Sequence, residues 1–187
     1  LSSTTTSTPT GRAQRVVVVE RDFTDKQGLM TTCHSYNNDQ NLGDKAHGVL
    51  LRARAGAVNM VPTGTGAARA VGKVLPHLAG RLDGMAVRVP TLNVSLVDMT
   101  LLLEQPVTVE GVHESLSNAA HGDLQGVLAL NHLALVSSDF NHLPYSCVVD
   151  TNHTPVLGPQ LKLLAWYDNE WGFSHRMLDV AAYWMAD

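Results

Sequence analysis

The chain has 187 residues and a mass of 20.1 kDa; 44% of the residues are hydrophobic, 16% are charged, and the net charge is −4. That length suits one globular domain with a core of its own. The acidic balance excludes non-specific nucleic-acid binding, and no apolar run reaches the roughly 20 residues of a membrane span. Two cysteines, Cys33 and Cys147, make neither a disulfide framework nor a zinc site. The histidines are scattered without metal-ligand spacing, so no metal is expected.

The chain opens on Leu1 and a Ser/Thr-rich stretch from Ser2 to Thr8, with Arg12 and Arg15 behind it. This start suits the remains of an organelle transit peptide, or a plain disordered tail. Residues 1–12 are expected to form that disordered or processed tail, and 13–187 a domain. Ala13 to Asp22 carries four consecutive valines, which suit a strand or a buried helix. Gly28 to Tyr36 reads as a strand. Asn37 to Asn59 has little hydrophobic periodicity and reads as a long surface excursion, a kind of segment that tends to be functional or interfacial.

Gly66 to Leu78 predicts a helix, with Ala67, Ala70, Val71, Val74 and Leu75 at helical spacing and Arg69 and Lys73 opposite. Pro62 and Gly64 mark a turn before it, and Pro76 and Gly80 stop it. Met85–Val89, Val94–Leu103, Gln125–Leu130, Leu133–Phe140, Ser146–Val149 and Leu161–Tyr167 read as strands. Val112 to Ala120 predicts a short helix. Phe173 to Met185 predicts the last one, with Met177, Leu178, Val180, Ala181 and Trp184 on one broad apolar face. Strands in succession, with helices early, midway and last, predict an α+β domain. Its sheet should be mixed but mostly antiparallel, with the helices packed on one face. No Gly-x-Gly-x-x-Gly follows a strand, so a dinucleotide fold has no support in this chain.

Four segments could carry chemistry. Thr63-Gly64-Thr65-Gly66 opens a helix, where unpaired N–H groups and small residues suit an anion; a plain turn and cap would read the same. Arg52 and Arg54 fall in the long excursion, and Arg88 in an otherwise apolar strand. Each serves equally well as an anion ligand or as the partner of an acid such as Asp39 or Asp44. His34 follows Cys33, and on a strand the two point to opposite faces, so they cannot easily act as base and nucleophile. Taken alone, His34 reads as a core or surface histidine and Cys147 as a small residue facing a core.

Thr31-Thr32-Cys33-His34-Ser35-Tyr36, Thr63-Gly64-Thr65-Gly66-Ala67-Ala68, Arg88-Val89-Pro90-Thr91 and Trp166-Tyr167-Asp168-Asn169-Glu170-Trp171-Gly172-Phe173 together resemble the catalytic domain of glyceraldehyde-3-phosphate dehydrogenase. The resemblance runs from Gly28 to the C-terminus. The segments around Asp139-Phe140-Asn141-His142 and Asp168 to Phe173 also resemble erythrose-4-phosphate dehydrogenase and bacterial-type members. In this family a cysteine thiolate attacks an aldehyde, hydride passes to NAD, and phosphate releases the acyl group. The resemblance implies that His34 matches the general base. It makes Thr65 and Gly66 ligands of the attacking phosphate, and Arg88 and Arg52 phosphate-binding arginines. Asn169 matches the residue that holds the nicotinamide carboxamide, and Phe173 an aromatic packing against that ring. The excursion from Tyr36 to Asn59 resembles a loop that contacts cofactor and neighbouring subunits in a tetramer.

The chain departs from the family pattern where the nucleophile belongs. An ungapped count back from His34 puts Ser7 at the cysteine position, followed by Thr8, Pro9 and Thr10; a gapped one puts Ser3 or Thr4 there. A serine hydroxyl is a far weaker nucleophile near neutral pH. Asn37 stands for a phosphate-binding threonine, and Leu51 for one of two arginines. No nucleotide-binding half is expected in this chain, so Asn169, Phe173 and His34 would be vestigial. The expectation is a non-catalytic family member, not an enzyme, that binds no cofactor and serves as a structural or assembly subunit of a larger complex in a mitochondrion or plastid. The alternative is part of a cytoplasmic homotetrameric NAD(P)-dependent phosphorylating aldehyde dehydrogenase acting on glyceraldehyde 3-phosphate or erythrose 4-phosphate, its nucleotide domain supplied elsewhere. A third reading is an anion-binding module built on Thr65 and Arg88.

Overall fold

A computed structural model describes residues 22–185. The valine run and the expected tail at 1–12 lie outside the described residues. Eight strands form one sheet among them. These are β1 (Asp25–Ser35), β2 (Val61–Gly64), β3 (Leu82–Val89), β4 (Ser95–Leu103), β5 (Leu128–Asn131), β6 (Cys147–Asp150), β7 (Val156–Leu157) and β8 (Gln160–Tyr167). The order across the sheet is β2-β3-β1-β4-β8-β6-β5, with β7 paired on β8. β1 runs parallel to β3 and β5 parallel to β6, and the other pairs are antiparallel. The sheet is therefore mixed and mostly antiparallel, and the fold is α+β.

Alternation sets the faces. Along β4 the residues Ser95, Val97, Met99, Leu101 and Leu103 are buried, and along β8 so are Leu161, Leu163, Ala165 and Tyr167. A period of two puts them all on one side of the sheet. Helices α1 (Ala67–Val74) and α2 (Val109–His121) close that side. Val71 of α1 and Val112, Leu116 and Ala119 of α2 join the strand residues in one core. Ala70 of α1 stays exposed, so the buried stripe of that helix is narrower than its apolar spacing suggests. Gly84 lets β3 lie this close to β1, because a Cβ there would meet the Met30 carbonyl oxygen at 2.3 Å.

Several elements differ from the sequence expectation. Pro62 and Gly64 are not a turn but belong to β2, which is tolerated because β2 is the edge strand and proline has no N–H to give a neighbour. β7 is a two-residue strand, too short to leave a pattern. Gly66 to Leu78 is not one helix: α1 ends at Val74, and Pro76 starts a separate 3-10 turn to Leu78. Leu75, before the proline, takes φ −117° and ψ 84°, outside the helical region.

Leu133–Phe140 is not a strand. The Asn131 side chain bonds both the N–H and the carbonyl of Leu133, and the Asp139 carboxylate accepts from Val136 N–H at 2.8 Å. These local bonds replace a ladder and turn the chain into a 3-10 segment from Ser137 to Phe140. Phe140 then stacks on Trp166 with ring centroids 5.1 Å apart, and with Val94 and Val148 covers part of the second sheet face.

The last helix, α3 (Asn169–Met185), starts four residues before the predicted Phe173 and buries only Gly172. A Cβ on Gly172 would lie 2.9 Å from the Tyr145 carbonyl oxygen, so its backbone abuts that loop. Much of the expected apolar face of α3 is uncovered: Met177, Leu178 and Trp184 are all more than half exposed, as is Phe173 beside them. Among the described residues no helix is long and apolar enough to cross a membrane.

One histidine ties α2 to the far end of the sheet. His113 Nε2 lies 3.0 Å from Thr154 Oγ1. Burial, and then the charge of His132, push its pKa below the ordinary histidine value, against a smaller opposite pull from Glu110. The folded chain therefore binds fewer protons at His113 than the unfolded one. Stability is undiminished above the unfolded value of about 6.5 and falls as pH drops below it. Urea midpoints between neutral and mildly acidic pH should decline, and His113→Gln should flatten that part of the decline.

Candidate functional site

His34 lies near the C-terminal end of β1, directly across from Arg88 in the parallel β1–β3 pair. Their side chains meet: Arg88 Nη1 is 3.0 Å from His34 Nδ1 and donates to the Ser35 carbonyl oxygen at 3.0 Å. The same carbonyl oxygen is 3.2 Å from His34 Nδ1. The imidazole also meets Tyr167 edge-on, with centroids 6.2 Å apart and planes at 72°. Two neighbouring strands and a third thus fix the ring.

His34 opens into a cleft of about 700 Å³, within the range of small-molecule sites. Ser35 to Asp39 form one wall, Leu92 and Asn93 another, and Asn169 and Glu170 the third. His34 and Asn169, distant in sequence, therefore share one cavity. The α3 terminus that presents Asn169 is built on Asp168, which is 3% exposed. One oxygen of its carboxylate accepts from Glu170 N–H at 3.2 Å and Trp171 N–H at 3.0 Å, as a helix cap does. The other accepts from Asn93 Nδ2 at 2.9 Å and from His142 N–H at 3.0 Å. Sequence reasoning missed Asp168 as an organising residue. Its position just before a helix, followed by acidic Glu170, was the available signal.

The 37–59 excursion is held by charge and backbone bonds in place of periodicity. Arg52 pairs with Asp39, and its Nη2 donates to Thr63 Oγ1 at 2.7 Å; Arg54 pairs with Asp44 at 3.2 Å. A hydrogen bond from His47, and then the Arg52 charge, hold the Asp39 carboxyl below its usual range. The Ala55 N–H, and then Arg54, do the same for Asp44. Asn37 Oδ1 accepts from Asp39 N–H at 3.1 Å, which turns the chain at the cleft wall.

The remaining expected residues spread out. Arg52 reaches the cleft only through Asp39. Gly66 sits at the N-cap of α1 with no side-chain cap bond. Thr65 and Gly66 follow directly on β2 and are not among the residues lining the cleft. Phe173 is 58% exposed, one turn along α3 from Asn169. Ser7 lies outside the described residues. Among the described residues no group of three or more histidine, cysteine or acidic side chains could hold a metal.

Neither cysteine is set up as a nucleophile. Cys147 is fully buried, and Cys33 points to the sheet face opposite His34. Burial, and then the nearby charge of Asp98, push the Cys33 thiol pKa up, so it stays protonated near neutral pH. Iodoacetamide at neutral pH should label the folded chain much more slowly than the urea-unfolded one, as mass spectrometry would show.

Comparison with known proteins shows which family the chain is similar to. The family model described as glyceraldehyde 3-phosphate dehydrogenase, C-terminal domain, matches residues 3–169. A chromosomal glyceraldehyde-3-phosphate dehydrogenase of Cupriavidus necator is 58% identical over 154 residues, covering 82% of this chain and 46% of the relative. The glyceraldehyde-3-phosphate dehydrogenase of Pseudomonas aeruginosa is 54% identical over 164 residues, covering 88% and 48%. That of Geobacillus stearothermophilus is 51% identical over 167 residues, covering 89% and 50%. The chain spans about half the length of the curated relatives it matches.

Proposed function

The chain belongs to the glyceraldehyde-3-phosphate dehydrogenase family, and from that premise we propose that it is the catalytic part of an NAD(P)-dependent phosphorylating aldehyde dehydrogenase acting on glyceraldehyde 3-phosphate or erythrose 4-phosphate. The observation that carries this reading is the meeting of His34 and Asn169 in one polar cleft, with Arg88 at the histidine. It favours the enzyme over the assembly subunit expected from the sequence.

In this reading each side chain has a task that its chemistry suits. The His34 imidazole takes the proton of the attacking nucleophile. Arg88 supplies positive charge for a phosphoryl group beside it, and Arg52 would do so on exchanging its Asp39 partner for the phosphoryl oxygens. The Asn169 amide can both donate to and accept from a carboxamide, and with Asn93 and Asn38 it gives the cleft an amide lining that suits the nicotinamide end of the cofactor. NAD(P), when bound, supplies the hydride acceptor. The exposed Leu50, Leu51 and Val58 of the 37–59 excursion, with Met60 just after it, support subunit contacts, and the bare face of α3 supports contact with a further domain.

One observation favours a second reading, a non-catalytic member of an assembly: residues 1–32 contain no cysteine, so neither the ungapped count to Ser7 nor a gapped one to Ser3 or Thr4 supplies a thiol. The intact mass of the protein from its source, with the identities of what co-purifies, tests the two. A polypeptide nearly twice 20.1 kDa associated with copies of itself supports the dehydrogenase. A 20.1 kDa chain held among unrelated subunits supports the second reading.

A further inference from the structure

Arg88 Nη1, His34 Nδ1 and the Ser35 carbonyl oxygen form a triangle with sides of 3.0, 3.0 and 3.2 Å. Each corner has a fixed hydrogen-bonding character except the imidazole. A guanidinium nitrogen only donates, and a carbonyl oxygen only accepts. Nδ1 is within reach of both, and its shorter contact, to Arg88 at 3.0 Å against 3.2 Å to the carbonyl, favours presenting the lone pair, which places the proton of a neutral His34 on Nε2. If the guanidinium moved away, the carbonyl of Ser35 would be the corner left facing Nδ1. Nδ1 would then hold the proton and donate it, and Nε2 would carry the lone pair.

We propose that Arg88 is a positioning residue that sets the tautomer of His34, and that a phosphoryl oxygen switches it by drawing the guanidinium off Nδ1. In the resting site Nε2 is a donor and cannot act as a base. Once an anion engages Arg88, a proton leaves Nε2 for solvent and one is taken up at Nδ1. Net charge is unchanged, and Nε2 becomes the basic nitrogen. The anion prevails because a guanidinium–phosphate contact is charge-assisted and can be bidentate, whereas the contact to a neutral imidazole is neither. The base is thereby formed only when a phosphorylated substrate is present. This inference rests on the reading of His34 as general base and Arg88 as a phosphate ligand.

The test is long-range proton–nitrogen correlation NMR of the histidines in the full chain, with His34 assigned by its loss in His34→Gln. Inorganic phosphate is the probe, and calorimetry on the same samples records its binding. The wild type without phosphate should show His34 protonated at Nε2. Phosphate should move the ratio toward the Nδ1 form by about tenfold, the weight of one charge-assisted hydrogen bond. Arg88→Ala should show the Nδ1 form from the outset and not respond to phosphate. An Nδ1 form in the untreated wild type overturns the inference, as does phosphate that binds without moving the tautomer; both outcomes leave the dehydrogenase reading standing. Absence of phosphate binding at millimolar concentration removes the anion switch together with the phosphate site on which that reading depends.

Discussion

Asp168→Ala is expected to lower the stability of the folded chain by about 3 kcal/mol. A helix-capping side chain alone contributes ~0.5–2 kcal/mol. Here the same buried carboxylate also accepts from Asn93 Nδ2 and from His142 N–H. A hydrogen bond to a charged group contributes ~1.5–3 kcal/mol where it is shielded and less where a donor, like His142, is exposed. His142 sits at φ +59°, a conformation its bond to Asp168 helps to hold. Asn93 donates from the same nitrogen to Asn141 Oδ1 at 2.7 Å, so the loss spreads into the 141–142 turn. Urea unfolding gives the number. Asp168→Asn keeps one acceptor and turns the other into a donor, so it should fall between the alanine variant and the wild type. A shift under 0.5 kcal/mol, the lower bound for a lost cap, would mean that the carboxylate does not organise the start of α3.

The second large effect concerns chemistry. In a form of the protein that has a thiol nucleophile and a bound cofactor, His34→Asn should lower kcat/KM for the aldehyde by about 10²–10⁴, the usual contribution of a positioned general base. The fold should survive, because His34 is only partly buried and its main-chain pairing with Arg88 in β3 is unaffected. Thermal melting of the same variant checks this. A variant that melts with the wild type and retains full activity would show that another group takes the proton.

What the sequence showed and concealed follows from the range of the interactions. β4 and β8 were legible because each alternates strictly between a helix-covered core and a more open face. The stretch from Leu133 to Phe140 misled because its Leu135 and Phe140 pack against the sheet without joining it, while Leu133 and Val136 stay exposed. The signal against a strand was the polar Ser137-Ser138-Asp139 within the run. The face of α3 was legible as apolar, but nothing in its spacing says whether this chain covers it. His34 and Asn169 could be singled out only through the resemblance, since each alone is an ordinary residue in a strand end or helix start. The Arg88–His34 contact was hidden because it depends on the register of two parallel strands separated by a long connection. The same holds for the Asp168 network, whose donors come from two loops and the first turn of α3.

The account stands or falls on whether this domain can support the dehydrogenase reaction once its nucleophile is present. The direct measurement is formation of reduced nicotinamide by Ser7→Cys, with Ser3→Cys and Thr4→Cys in parallel, each in the full chain fused behind the nucleotide-binding half of the Cupriavidus necator relative. Glyceraldehyde 3-phosphate, erythrose 4-phosphate and inorganic phosphate are the substrates. The expected result is aldehyde- and phosphate-dependent turnover in one of the three variants, abolished by His34→Asn. Folded fusions that bind the cofactor and turn over neither aldehyde would contradict it, and the domain would then be a family scaffold without the family's chemistry.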